Sequence, residues 1–100
     1  MNVTAYITPD VCYGGLFQEV GGHTITPTAV SCSFNDAITF TCNRGWTTAV
    51  KGWYVFHIDN ARFHRIGQLP LYIKSGHQCG TEIELIMHYD HDVIVVCEMT

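Results

Sequence analysis

Histidine and aspartate recur in this chain at spacings that suit metal ligation. Six histidines occur in 100 residues. Two of them open H-x-D triplets, His57-Ile58-Asp59 and His88-Tyr89-Asp90, and His91 and Asp92 follow the second directly. Imidazole nitrogen and carboxylate oxygen are the donors that zinc and non-haem iron accept. If Asp59-Asn60 is a tight turn between two strands, Val55 faces His64 and His57 faces Arg62. His57 and His64 then become diagonal neighbours, roughly 7–8 Å apart at the backbone. A third donor would come from the C-terminal segment, which makes His57, His64, His88 and Asp90 the candidate set for a divalent metal. Arg62, directly opposite His57, disfavours a cation there. His91 and His23 read more simply as loop residues.

A second constellation is Gly76-His77-Gln78-Cys79-Gly80. It resembles the G-x-C-G nucleophile loop of the chymotrypsin-like cysteine proteases of picornaviruses, and His88 lies downstream of Cys79 as a histidine does in that family. The resemblance implies a thiolate at Cys79, backbone donors for an oxyanion and a histidine base. It covers this one loop. The family's architecture takes two barrels where 100 residues supply at most one, and the base would have to be His23, His57 or His64. Cys79 as nucleophile is therefore the remotest expectation. The H-x-H of the cupin family does not occur. Five cysteines stand at 12, 32, 42, 79 and 97 with no C-x-x-C pair, so neither a zinc ribbon nor a thioredoxin-type site is available. An odd count without an export signal makes reduced cysteines the expectation.

The third group is aromatic. Trp46, Trp53, Tyr54, Phe56 and Phe63 crowd into one short stretch. Most belong in a core, but Trp and Tyr at an edge are what interfaces use. Charged residues are only 14% of the chain, against about 25% in ordinary domains. The surface must then be covered by Thr, Ser, Asn and aromatics, and only Lys51 and Lys74 are available as lysine guards for sheet edges. A formal charge of −4 with five basic residues excludes a phosphate-backbone binder, because neutralising nucleic acid takes clustered Lys and Arg. No run reaches the roughly 20 apolar residues of a membrane span.

These side chains must be positioned by strands. Asn2 to Thr8 alternates, with Val3, Ala5 and Ile7 on one side. Leu16–Val20 and His23–Thr26 flank a Gly-Gly turn, which predicts a hairpin. Ala29–Phe34 and Ile38–Cys42 predict another, with Cys32 facing Phe40 and Phe34 facing Ile38. Lys51-Gly52 reads as a turn ahead of Trp53–Ile58, and that strand is apolar on both faces and so belongs at the centre of a sheet. Thr81 to Met99 predicts a C-terminal hairpin around Asp90-His91-Asp92. In that register Ile83, Leu85, Met87, Val95 and Cys97 are core. Glu82, Glu84, Ile86 and His88 then lie against Ile94, Val96 and Glu98 on the other face, apolar in the middle and acidic toward the open end. No helix of useful length is indicated.

The pattern as a whole predicts an all-β chain: a single domain over residues 1–100 with eight or nine short antiparallel strands, as a β-sandwich, jelly-roll-like fold or small barrel. The expected function is a non-enzymatic protein–protein interaction or structural module, self-associating as a homo-oligomer or docked on a larger assembly. Small viral or phage structural proteins, including capsid- and tail-associated ones, and accessory proteins acting by surface contacts are often of this kind. Its contact residues would be Trp46, Trp53, Tyr54, Ile86, Ile94 and Val96. No cofactor is expected on this account, and no nucleic-acid or membrane partner. The alternative is a small β protein or enzyme that binds a divalent metal. The opening MNVTAYITPD lacks the basic and apolar regions of an export signal, which points to a cytoplasmic or virion-associated location.

Overall fold

The computed structural model describes residues 1–8, 24–43, 50–67 and 73–99. Among these residues there are nine strands and no helix: β1 (Asn2–Thr8), β2 (Thr24–Thr26), β3 (Ala29–Ser31), β4 (Ala37–Asn43), β5 (Val50–His57), β6 (Arg62–Arg65), β7 (Ile73–Gly76), β8 (Glu82–Ile86) and β9 (Val93–Met99). They form a five-stranded sheet of order β3-β1-β9-β5-β6 and a four-stranded sheet of order β2-β4-β8-β7. The all-β class is as the sequence predicts. One pairing departs from the antiparallel expectation, since β1 runs parallel to β9.

Alternation decides which side chains enter the core. Val3, Ala5 and Ile7 of β1, Trp53 and Val55 of β5, and Val93, Val95, Cys97 and Met99 of β9 are all buried on one sheet. Ile25, Phe40, Cys42, Ile83 and Leu85 are buried on the other, and together these residues form one cluster. β5 lies beside the central strand β9 rather than at the centre itself. Its two apolar faces have the cause the sequence suggests: Trp53 and Val55 point into the core while Tyr54 and Phe56 are half-buried on the outer face.

The β5–β6 hairpin has the predicted register, with Val55 opposite His64 and His57 opposite Arg62. The other two predicted hairpins within the described residues do not form. β3 pairs with β1 and β4 with β8, so residues 32–36 cross from one sheet to the other. Likewise β8 belongs to the four-stranded sheet and β9 to the five-stranded one, and residues 87–92 make the second crossing. Ile83, Leu85, Met87, Val95 and Cys97 are core as expected, each at most 2% exposed. They reach it by facing one another across the sandwich instead of lining one face of a ribbon. The two arches are tied together: Asn35 N–H donates to Met87 O at 2.8 Å, and Met87 N–H donates to Asp36 O at 2.8 Å. Phe34, expected to face Ile38 in the core, is 59% exposed and lies with its ring 5.8 Å from that of His88.

Arching also corrects the expectation of reduced cysteines. Cys42 on β4 and Cys97 on β9 sit on the inner faces of opposing sheets with Cα atoms 6.5 Å apart and form a disulfide. That spacing suits a bridge. Met99 Sδ packs 3.5 Å from Cys42 Sγ in the same apolar layer. Cys32 and Cys79 are free thiols, buried and exposed respectively.

Two further expectations change. Lys51-Gly52 is not a turn: β5 runs through it with an irregularity between Val50 and Gly52 opposite β9. A Cβ at Gly52 would come 3.3 Å from Arg65 Nη2 and 3.4 Å from the Tyr54 ring, so glycine here admits a close side-chain crossing rather than a reversal. Glu98, expected at an acidic open end, is 3% exposed, and Tyr54 Oη–H donates to its Oε1 at 3.3 Å. The edges are also better protected than the lysine count suggests. β2 and β3 have three residues each, β6 and β7 four, and short or charged edges resist pairing with another chain. β6 carries Arg62 and Arg65, and Lys74 on β7 pairs with Glu84 at 3.8 Å. The predicted Gly-Gly hairpin lies outside the described residues, apart from Thr24–Thr26.

Candidate metal centre

The His-rich site is built where the β5–β6 hairpin meets the second arch. β5 delivers His57 at its last position, and the turn that follows carries Asp59 and Asn60. β9 begins opposite that end, with Val93 paired to His57. The arch preceding Val93 therefore passes over the end of β5 and lays His91 on His57. Tyr89, 8% exposed, anchors the arch from below, its ring 5.1 Å from that of His57 and 5.9 Å from that of His91.

His57 Nδ1 and His91 Nε2 are 3.0 Å apart. His91 Nε2 is 3.9 Å from Asp59 Oδ1. One donor atom from each of His57, Asp59 and His91 lies within 4.8 Å of the other two. Zinc bonds of about 2.0–2.1 Å place tetrahedral ligand atoms about 3.3 Å apart, so the two measured edges bracket the distance an ion requires. Behind the cluster, His91 Nδ1 is 3.0 Å from Asp90 Oδ1. A carboxylate that accepts the outer N–H of a histidine fixes its tautomer and raises its basicity, a support found behind most metal-bound histidines. With His91 donating Nδ1–H to Asp90, its Nε2 is left as the lone pair facing His57 and Asp59. In that tautomer of His91 the hydrogen bond between the rings takes His57 Nδ1–H as donor, and coordination by His57 Nδ1 requires its hydrogen to sit on Nε2.

The electrostatics favour a neutral His57. Burial lowers the pKa of His57, followed by the charges of His91 and His64 and, less strongly, Arg62; Asp59 alone opposes them. A histidine kept neutral can coordinate without first losing a proton. The hydrogen bond from His91, then the bond to its own backbone and the His91 charge, hold the Asp90 carboxyl below the usual range. A cleft of about 320 Å³ opens beside the two histidines of the cluster, lined by His57, Asn60, Arg62, Phe63, His64 and His91.

Of the four ligands expected from sequence, His57 is in the cluster and His64 is beside it, with ring centroids 6.1 Å apart. Asp90 stands behind His91, with a side chain 94% exposed. His88 is turned toward Phe34. The residues missed were Asp59 and His91. Asp59 was visible as the acid of the first H-x-D triplet. His91 was not, because a hairpin tip would have held it in solvent.

The other candidates are placed as follows. Cys79 is exposed; its N–H donates to His77 Nδ1 at 3.1 Å and its sulfur lies 3.8 Å from Lys51 O. His77 thus holds the turn through the backbone amide. Gly80 O accepts from Trp53 Nε1–H at 2.8 Å, and Trp53 is fully buried. Trp53 and Val96, both at 0% exposure, offer no contact surface. Tyr54 and Ile94 are half-buried on the outer face of the five-stranded sheet, and Ile86 is half-buried on the other sheet, so the three do not form one stripe. Trp46 lies outside the described residues. Among the described residues no helix is long and apolar enough to cross a membrane. Comparison of the chain with models of protein families, with characterised proteins and with solved structures gave no match.

Proposed function

We propose that this domain binds a divalent transition metal through His57 Nδ1, His91 Nε2 and an Asp59 carboxylate oxygen. The supporting observation is the convergence of three donor atoms within 4.8 Å from two separate parts of the chain. Two imidazoles and one carboxylate suit zinc or iron(II) and leave an outer coordination position. The Asp90–His91 bond, the lowered His57 pKa and the cleft beside the two histidines agree with that use.

Calorimetric titration of chelator-treated protein with Zn²⁺ tests it. One ion per chain is expected. Asp90→Asn should weaken binding roughly 10–100-fold, as loss of a supporting carboxylate does, and His91→Gln should weaken it further. Absence of saturable binding, or His91→Gln binding as tightly as the parent chain, would overturn the proposal.

A second reading, contact with another protein, is favoured by Phe34 and Ile58, which are 59% and 52% exposed. Phe34 touches the His91 arch through His88, and Ile58 follows His57, so both belong to the end of the sandwich that carries the site. Light scattering at rising concentration should show self-association that the Phe34→Ser, Ile58→Ser double variant abolishes. A monomer at all concentrations that also captures nothing from its source removes this reading, and with it the assembly role of a viral-type structural protein.

A further inference from the structure

Arg62 presents an apparent conflict with a metal centre. It lies directly opposite His57 on β6, its charge acts on that imidazole, and it lines the cleft. Among the described residues the ion pairs of the neighbourhood join His91 to Asp59 and to Asp90, and Arg62 has no carboxylate within ion-pair distance. With a divalent ion in place and both histidines neutral, Asp59 and, through His91, Asp90 offset the ion's charge, and the Arg62 guanidinium is left without a counter-charge of its own. Such an arrangement is costly unless an anion joins it.

The same geometry supplies the place for one. A set of three protein ligands leaves a coordination position for an outside group. The cleft that His57 and His91 line is also lined by Arg62, Asn60 and His64. A guanidinium matches carboxylate and phosphate oxygens with two parallel N–H donors. The volume of about 320 Å³ lies at the small end of ligand cavities, which start near 300 Å³, so the ligand or its anchoring group is small.

We propose that the bound metal takes a small oxyanion, a carboxylate or phosphate group, as its outside ligand, and that Arg62 holds the anion's remaining oxygens. This rests on the metal proposal above. Arg62 is then a ligand-positioning residue, and the charge that disfavours a bare cation becomes the reason for binding a metal and an anion together.

Cobalt(II) makes the test visible, because its absorption reports the ligands around it. Chelator-treated protein is loaded with Co²⁺ and titrated separately with inorganic phosphate and acetate; the two arms distinguish a phosphate from a carboxylate preference. At least one anion should shift the visible spectrum saturably. Arg62→Gln should weaken that shift about tenfold or more while Co²⁺ still binds, and Arg62→Lys should recover part of the loss through its charge. Unchanged thermal midpoints of the exposed-edge variants exclude a folding effect. If Co²⁺ binds but neither anion alters the spectrum, or if Arg62→Gln responds like the parent, this inference fails and the metal proposal stands. If Co²⁺ does not bind, both fail.

Discussion

The β5–β6 hairpin and the β8–β9 arch look alike in sequence and differ in space. Each consists of two alternating strands around a short connection, with His57 and Asp59 at the first and His88, Asp90, His91 and Asp92 within the second. The first closes within one sheet through residues 58–61, with Ala61 at φ 54°. The second opens across the sandwich through residues 87–92. Stacked sheets stand about 10 Å apart, a gap that takes at least three extended residues at about 3.3 Å each. Residues 87–92 can span it; a tight turn cannot. Periodicity therefore assigns faces, whereas the connection decides whether those faces are neighbours or opposites. The His57–Asp59–His91 cluster forms because one connection is of each kind: the hairpin fixes His57 and Asp59, and the arch carries His91 onto them.

The largest expected effect comes from the bond that locks the arched arrangement. Cys42 and Cys97 are 55 residues apart in sequence, and a crosslink closing a loop of that size is worth about 4 kcal/mol by restricting the unfolded chain. The Cys42→Ala, Cys97→Ala double variant should lose about that much in denaturant unfolding. Alkylation of the native chain followed by peptide mass mapping should label Cys79 readily and leave Cys42 and Cys97 unlabelled. Labelling of that pair would instead restore the reduced state expected from sequence. Cys32 should react slowly, because burial raises the pKa of its thiol and keeps it protonated.

Next in size is the arch core. Met87 is 0% exposed and leads into the crossing, so Met87→Ala should cost about 3 kcal/mol through lost burial and an unfilled cavity. Phe34→Ala at the exposed tip of the other arch should stay within about 0.5 kcal/mol. Similar costs for the two would mean that Phe34 is buried and that residues 29–42 form the hairpin their alternation suggests.

Separating arch from hairpin chemically gives a third test. Zn²⁺ at about 100 times its dissociation constant should stabilise the parent chain by about 2.7 kcal/mol. Two glycines inserted after Asp90 lengthen the arch at a loop-entropy cost below about 1 kcal/mol, and they should remove the zinc effect while the protein stays folded. Retention of zinc stabilisation would show that His91 is not a ligand.

The smallest effect concerns the two left-handed residues, one in each kind of connection. Asn35 at φ 73° in the first arch suits that region, whereas Ala61 at φ 54° does not. Ala61→Gly should stabilise by about 0.5 kcal/mol, because relief of the left-handed cost exceeds the added freedom of the unfolded chain. Asn35→Gly should be close to neutral. Thermal midpoints of the two variants compare them directly.

Much of the molecule was legible before any coordinates. Strand class, the bounds of β1, the hairpin register at Asp59-Asn60 and the core membership of Ile83, Leu85, Met87, Val95 and Cys97 all follow from alternation and turn chemistry, which act over a few residues. His57 and the nearness of His64 follow from the same register. Partner choice was not legible, because an inward-facing strand satisfies its apolar side equally well in a hairpin or an arch, and only the packing of both sheets selects between them. That selection joined Cys42 to Cys97, buried Glu98 and Val96, and withdrew His88 from the candidate ligand set. It also brought His91 onto His57. Sequence alone determined the inward faces of most strands, Phe34 excepted; tertiary structure decided which inward residues meet, because contacts between sheets depend on where each connection leads and not on the period of the strands it joins.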